Sequence, residues 1–266
     1  MLLLIVLSVL PQCAPVPLAP PCETSCRWCN SRIAVCDQQA LVSVPSRFPP
    51  EVFTIDLHGN KITQLPRAAF TNMSTKLSRL NMSNNCLLYI EDNAFDRLTN
   101  LFSLDLSRNK LTLVTDYSFR GLRRLRDLYL QNNRIKYVSN NAFLGIINIR
   151  VLNFRGNRLT EVPWAAVRMT SAVNLQKFDV SRNMIQTAPA IPKIDSLSYI
   201  LNVWFGENPW CCDCGLTPFL KSLKTTDAIQ DRKSMTCAAP EALKGEKLDV
   251  LVAGIDGIVS RLWRCH

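Results

Sequence analysis

The chain has 266 residues, of which 47% are hydrophobic and 20% charged, a balance that excludes an intrinsically disordered protein. Its formal net charge is +10, and most of the positive charge falls within residues 51–207. An enzyme is not expected, because His58 and His266 are the only histidines and the sequence has no phosphate-binding loop or H-E-x-x-H motif.

Residues 1–20 are predicted to be a secretory signal peptide. Residues 1–10 form an apolar run rich in leucine, isoleucine and valine, and small residues and prolines follow. A run of this length is too short to cross a bilayer as a helix. We therefore expect cleavage between Cys13 and Pro20, and a secreted or otherwise extracellular protein.

Cysteines are concentrated at the two ends of the mature chain. Residues 21–50 and 208–266 each contain four that are predicted to form disulfides: Cys22, Cys26, Cys29 and Cys36, then Cys212, Cys214, Cys237 and Cys265. Such end clusters indicate caps closed by disulfides in an oxidising compartment. The alternative is a zinc site, but Cys26 and Cys29 form only one of the paired hooks that zinc sites usually have. We expect no metal and no other cofactor.

Between the caps, residues 51–207 repeat one pattern about seven times. The segment 101–111 reads L-x-x-L-x-L-x-x-N-x-L, and its asparagine recurs at Asn60, Asn85, Asn109, Asn133, Asn157, Asn183 and Asn208. Each L-x-L core predicts a short strand whose leucines point inward, and units stack because none can bury its leucines alone. The buried asparagines are expected to bond the backbone of neighbouring units. A second ladder, Phe70, Phe95, Phe119 and Phe143, is predicted on the convex side and stops at Val167.

These motifs resemble the extracellular leucine-rich-repeat family, including the repeat domains of Nogo receptor, Slit and variable lymphocyte receptor proteins. The resemblance covers residues 22–265 and includes the segment Asn208-Pro-Trp-Cys-Cys-Asp-Cys214 at the second cap. It implies an α/β-repeat solenoid, curved like a horseshoe, with a parallel β-sheet on the concave face and disulfide-bonded caps. It also implies the pairs Cys22–Cys29, Cys26–Cys36, Cys212–Cys237 and Cys214–Cys265. Because Cys211 precedes Cys212, either could be the partner of Cys237.

The exposed strand positions are expected to line the concave face. Most are polar, as solvated positions should be, but Tyr129 and Trp204 are aromatic residues beside charged neighbours, which is typical of protein-binding hot spots. The predicted ligand-binding residues are Asp105, Asp127, Tyr129, Gln131, Asn153, Arg155, Asp179 and Trp204. Alternatively, Trp204 packs under the carboxy-terminal cap.

Two further surface features follow from the repeat. Four cations come directly after ladder asparagines, and they predict a basic flank that attracts polyanions such as heparan sulfate: Lys61, Lys110, Arg134 and Arg158. The alternative is a solvated edge.

Asn72 and Asn81 begin N-glycosylation sequons, which predicts a glycoprotein. Cys86 and Cys211 are left without partners, and a disulfide-linked dimer is one possible consequence.

The sequence thus predicts a recognition module that binds an extracellular protein, in adhesion, guidance or immune sensing. The alternative is a matrix protein that binds glycosaminoglycan through the basic flank. The expected state is a monomer or weak dimer, without a nucleic-acid partner and without a membrane span in this chain. The protein is either released or part of a larger receptor.

Overall fold

The computed structural model describes residues 25–67, 69–70, 75–170, 175–191 and 202–258. The predicted signal peptide, Cys22, Cys265 and the sequon at Asn72 lie outside these residues. The strands are β1 Trp28–Cys29, β2 Ile33–Val35, β3 Thr54–Asp56, β4 Gln64–Leu65, β5 Arg79–Asn81, β6 Tyr89–Ile90, β7 Ser103–Asp105, β8 Leu113–Val114, β9 Asp127–Tyr129, β10 Tyr137–Val138, β11 Val151–Asn153, β12 Lys177–Asp179, β13 Asn202–Trp204, β14 Trp210–Cys211 and β15 Cys237–Ala239. The helices are α1 Trp164–Met169, α2 Thr217–Leu223 and α3 Leu248–Ile258.

One long sheet joins the amino-terminal cap to the last repeat. Its nine strands follow the order β1-β2-β3-β5-β7-β9-β11-β12-β13, and every pair is parallel except the β1–β2 hairpin. The central residue of each three-residue strand of this sheet is buried, whereas both flanking residues are at least partly exposed. This alternation follows from the two-residue period of a strand. The predicted leucine-rich-repeat solenoid is therefore confirmed.

The asparagine ladder ties each coil to the one before it. The Nδ2 atom of Asn133 donates to the carbonyl of Leu130 in its own coil and to that of Leu106 in the preceding coil, both at 3.0 Å. Its Oδ1 atom accepts from the amide of Leu111 at 3.0 Å. Asn157 repeats this arrangement one coil later, accepting from the amide of Ile135 at 2.9 Å. One amide side chain thus satisfies three backbone groups that would otherwise be buried without partners.

The phenylalanine ladder fills the convex side of the first repeats. The rings of Phe70, Phe95, Phe119 and Phe143 are stacked in sequence, with centroids 5.5, 6.3 and 6.0 Å apart. After Phe143 the ladder ends, and α1 takes its place on the convex side. Val167 is buried in α1, so the core continues with an aliphatic side chain where the aromatic series stops.

The amino-terminal cap closes the first end of the solenoid. Strand β2 pairs in parallel with β3, so that the cap supplies the first strands of the sheet. Cys26 is disulfide-bonded to Cys36. The ladder also extends into the cap, because Oδ1 of Asn60 accepts from the amides of Gln39 and Leu41 at 3.0 Å each.

The carboxy-terminal cap is built around a cluster of buried aromatic rings. Trp210 is stacked on Phe219 of α2 at 5.0 Å, and both rings meet Phe205 of the last repeat edge to face. Cys212, which is fully buried, is disulfide-bonded to Cys237. Cys211 is half-buried and free, so the choice left open by the two adjacent cysteines falls on Cys212.

Asp231 covers the exposed end of the sheet. Its carboxylate accepts from the amide of Phe205 at 3.0 Å, where a further coil would supply a carbonyl. It also accepts from the amide of Gly206 at 2.6 Å, a position whose amide in most other coils bonds a side-chain oxygen of its own strand. Burial raises the pKa of Asp231, and the two backbone hydrogen bonds oppose that shift. A Cβ atom at position 206 would lie 2.6 Å from this carboxylate, so the close approach requires glycine.

The remaining cysteines agree with the implied caps as far as the structure describes them. Cys29 and Cys214 are both disulfide-bonded. Their implied partners, Cys22 and Cys265, lie outside the described residues. Cys86 and Cys211 are free. Among the described residues, no helix combines the length and the hydropathy needed to cross a membrane.

Candidate functional site

The outward residues of the sheet form two columns that the strand register fixes. The first column comprises Thr54, Arg79, Ser103, Asp127, Val151, Lys177 and Asn202. The third-position column comprises Asp56, Asn81, Asp105, Tyr129, Asn153, Asp179 and Trp204. Residues 24 to 26 apart in sequence are thus side by side, and the predicted concave residues of β7, β9, β11, β12 and β13 share one surface.

Most residues of the third-position column close a turn at the end of their strand. The Oδ1 atom of Asp105 accepts from the amide of Ser107 at 2.8 Å, and Asn153 and Asp179 do the same for the amides two residues on, at 2.9 Å each. Asp56 and Asn81 form equivalent bonds at 3.0 Å. Such Asx turns end the strand and redirect the chain. These side chains therefore have a structural role that the sequence pattern did not reveal.

Tyr129 and Trp204 are the exceptions in this column. Both are half-buried and stand in register with residues that close Asx turns: Tyr129 is flanked by Asp105 and Asn153, and Trp204 lies beside Asp179. Burial raises the pKa of the Tyr129 hydroxyl, and the negative charges of Asp127 and Asp105 add to the shift. Trp204 remains in the outward column, whereas Trp210 is the tryptophan buried under the cap.

Asp127 lies among cations at the beginning of β9. Burial raises the pKa of its carboxyl, while the positive charges of Arg150, Arg126, Arg79 and Lys177 oppose that shift. The four cations come from the second, fourth, fifth and sixth coils, on both sides of β9. The strand-start side of the sheet therefore carries more positive than negative charge around this residue.

Arg155 is held by residues of the next coils. Its Nη1 atom donates to Oγ of Ser181 at 2.6 Å, and its Nη2 atom lies 3.4 Å from Oε1 of Glu207. Glu207 also accepts from Nε of Arg182 at 2.7 Å, and that hydrogen bond lowers the pKa of the Glu207 carboxyl. Gln131, one coil before Arg155, has a buried Oε1 atom without a hydrogen-bond partner among the described residues.

The residues predicted to bind polyanions share one flank of the solenoid, the side on which the strands of the long sheet end (the strand-end flank). The amides of Lys110, Arg134 and Arg158 each donate to the preceding coil at 2.9 Å, so these residues occupy equivalent positions in successive coils. Lys61 belongs to the same row, which Cys86 interrupts and Met184 ends. Arg126, by contrast, immediately precedes β9 and so lies on the side where the strands begin. Arg126 and the row of Lys110, Arg134 and Arg158 thus lie at opposite ends of the strands.

Comparison with known proteins identifies the repeats. The "Leucine rich repeat" family model matches residues 50–111 and 103–159. Decorin from Rattus norvegicus is 35% identical over 66 residues, which are 25% of this chain and 18% of decorin. Trophoblast glycoprotein from Homo sapiens is 35% identical over 48 residues, 18% of this chain and 11% of that protein. The chain thus matches less than a fifth of the length of either curated relative.

The fold is also that of a solved structure. The crystal structure of human trophoblast glycoprotein superposes with a TM-score of 0.61 and 24% sequence identity, covering 85% of this chain and 95% of that one. At this level of identity the likeness shows the fold. The repeat pattern, the in-register parallel sheet and these matches together establish the chain as a leucine-rich-repeat protein with disulfide-bonded ends.

Proposed function

We propose that the chain is an extracellular recognition module that binds a protein ligand through the concave face of its solenoid, in adhesion, guidance or immune sensing. The observation that carries this proposal is the pair Tyr129 and Trp204. The other five positions of their column hold Asp or Asn, whose side chains close the turn after the strand. At these two positions an aromatic ring takes the place of that turn-closing group.

The chemistry and spacing of the two rings suit a protein partner. Tyr and Trp bury a large apolar area and retain one polar atom, which is why they are frequent among interface hot spots. Three strand intervals separate them, about 14 Å at the usual spacing of strands. A typical protein interface covers roughly 800 Å² on each partner and spans this distance easily. Asp127 and Arg155 add charges of both signs on the same surface.

Polar groups between the rings give such a ligand points of attachment. Gln131 follows Tyr129 by two residues and places a half-buried amide side chain on this face, which has hydrogen-bond donors and an acceptor. Arg155 is already oriented by Ser181, so it loses little side-chain freedom on binding. Asp105 and Asp179 contribute the carboxylate lone pairs that their turns leave unused, and Asn153 also contributes its Nδ2 donors.

The disulfides support an extracellular location. Cys26–Cys36 and Cys212–Cys237 would not persist in a reducing cytosol. A glycan on the sequon at Asn81 is compatible with its Asx turn, because glycosylation uses Nδ2 and the turn uses Oδ1. That glycan would cover the second repeat and leave repeats three to seven, which include Tyr129 and Trp204, to the ligand.

We expect Tyr129→Ser combined with Trp204→Ser to weaken ligand binding by at least about thirtyfold, the value that one hot spot of 2 kcal/mol corresponds to. The full chain, secreted with its disulfides intact, is screened against secreted and cell-surface proteins of the same organism. Each protein that binds is then titrated by surface plasmon resonance against the wild type and the variant. Near-ultraviolet circular dichroism verifies that the variant is folded.

A matched control removes two side chains from the strand-end flank. Lys110→Ser combined with Arg134→Ser is expected to change the affinity for the same ligand less than about threefold, because both residues lie outside the concave columns and exposed charges contribute little. If every ligand binds the Tyr129/Trp204 variant as tightly as the wild type, the concave face is not the binding surface.

The row of Lys61, Lys110, Arg134 and Arg158 supports a second candidate function, binding of a glycosaminoglycan such as heparan sulfate. The four side chains repeat at successive coils except at Cys86, and so form a line of charge along one flank. On a heparin column the Lys110→Ser/Arg134→Ser variant should then elute at clearly lower salt than the wild type. Elution of the wild type well below physiological salt would exclude this function.

A further inference from the structure

A groove crosses the flank on which the strands of the sheet begin. It has a volume of about 530 Å³ and is open to solvent. Its walls include Phe53, Lys76, Ser78, Phe102, Arg124 and Arg126. None of these residues belongs to the concave columns or to the strand-end flank, and the repeat pattern alone did not single them out as a site.

The groove exists because a small residue separates two large ones. Phe53, Ser78 and Phe102 immediately precede β3, β5 and β7. The amide of Ser78 donates to the carbonyl of Phe53 at 2.9 Å, and the amide of Phe102 donates to that of Ser78 at 2.7 Å, so the three residues stack in successive coils. The two phenylalanines are therefore two coil intervals apart, about 10 Å. The serine side chain between them leaves an apolar gap, and 48% of Phe53 is exposed.

Cations border this gap. Arg126 follows Phe102 in the same row and places its guanidinium 4.8 Å from the centre of the Phe102 ring. Arg124 is exposed beside it, and Lys76 forms an ion pair with Glu51 on the opposite side of Ser78. The charges of Arg79 and Arg150 extend the positive field toward the concave face. The groove thus combines two aromatic walls with a basic rim.

We propose that this groove is a second docking site, which takes a protein segment with one apolar side chain between Phe53 and Phe102 and acidic side chains against Arg124 and Arg126. The apolar side chain would gain contact area with both rings, and the acidic residues would fix its direction and accelerate the encounter. A sulfated polysaccharide would use the cations but would gain little from the apolar gap. The site is independent of the concave-face ligand.

The test uses two fluorescein-labelled acidic peptides that differ at one position. Both consist of aspartate and glutamate around a central residue, which is leucine in one and serine in the other. Binding to the full chain is measured by fluorescence anisotropy. We expect the leucine peptide to bind at least about tenfold more tightly than the serine peptide. Ser78→Phe, which fills the gap without altering charge, should abolish this difference.

Charge and location are tested separately. Arg124→Ser combined with Arg126→Ser should weaken both peptides at least about tenfold, whereas Lys110→Ser with Arg134→Ser removes the same charge from the other flank and should have less than a threefold effect. Tyr129→Ser with Trp204→Ser should leave both peptides unaffected, so failure of the concave-face proposal is distinguished from failure of this one. Phe53→Ser provides a second variant that removes one wall of the gap.

Three outcomes would overturn the proposal. The leucine and serine peptides could bind equally, the difference between them could survive both Ser78→Phe and Phe53→Ser, or the two pairs of cation variants could have equal effects. A heparin-derived dodecasaccharide is the remaining probe. If it loses binding in the Arg124/Arg126 variant while the wild type does not distinguish the two peptides, the groove is a polysaccharide site and the proposal is wrong.

Discussion

Replacing Phe119 with alanine is expected to lower the free energy of unfolding by about 3–5 kcal/mol. The ring is 1% exposed and lies between Phe95 and Phe143, with centroid distances of 6.3 and 6.0 Å. Both neighbouring rings are fixed by their own coils, so they cannot move together to fill the space. The substitution therefore leaves a cavity in the middle of the ladder, and its cost lies in the upper range for core truncations.

Urea denaturation followed by circular dichroism measures this loss. Leu144→Ala is the control, because Leu144 directly follows a ladder phenylalanine but is 64% exposed, and it should change stability by less than about 0.5 kcal/mol. Phe119→Leu should fall between the two, since it retains most of the apolar volume. A loss below about 1 kcal/mol for Phe119→Ala would show that the ladder does not support the convex side.

Removing the Cys212–Cys237 disulfide is the second large effect. Substitution of both cysteines by alanine should cost about 3 kcal/mol, because the bridge closes a loop of 25 residues and restricts the unfolded chain. Both cysteines are buried beside the aromatic cluster of the cap. Loss of the bridge should therefore loosen the cap first and expose the rings of Trp210 and Phe219. Tryptophan fluorescence and urea denaturation both report this change.

The neighbouring cysteine provides the control. Cys211 is half-buried and free, and its thiol lies 3.4 Å from Asp213. Cys211→Ala should therefore leave the free energy of unfolding within about 0.5 kcal/mol of the wild type. If Cys211→Ala were the destabilising change and the Cys212/Cys237 variant were not, the pairing in this cap would be wrong.

The features that the sequence predicts well are those that recur in every coil. Asn109, Asn133 and Asn157 occupy identical surroundings, so one physical argument about buried amides applies to all of them. The same holds for the central leucines of the strands and for the phenylalanine ladder. Periodicity thus converts a local pattern into a complete description of the sheet and its core.

Features that depend on differences between coils were not predictable in this way. The groove at Ser78 exists only because its neighbours in the row are Phe53 and Phe102, which are 25 and 24 residues away. Asp231 reaches the last coil from a segment outside the repeats. The Asx turns of Asp105 and Asn153 were missed for another reason, because an exposed polar side chain and a turn-closing one have the same residue type.

Equivalent residues of successive coils are neighbours, and this alone brings Tyr129, Trp204 and the surrounding charges onto one face. Amide hydrogen exchange in the Asn133→Ala variant tests it. In the wild type the amide of Leu111, in the preceding coil, donates a hydrogen bond to Asn133, and the amide of Ile135 donates one to Asn157. In the variant only the first bond is lost, so exchange at Leu111 should become at least about tenfold faster relative to exchange at Ile135. An unchanged Leu111 amide, or equal acceleration at Leu111 and Ile135, would contradict the stacking of the coils.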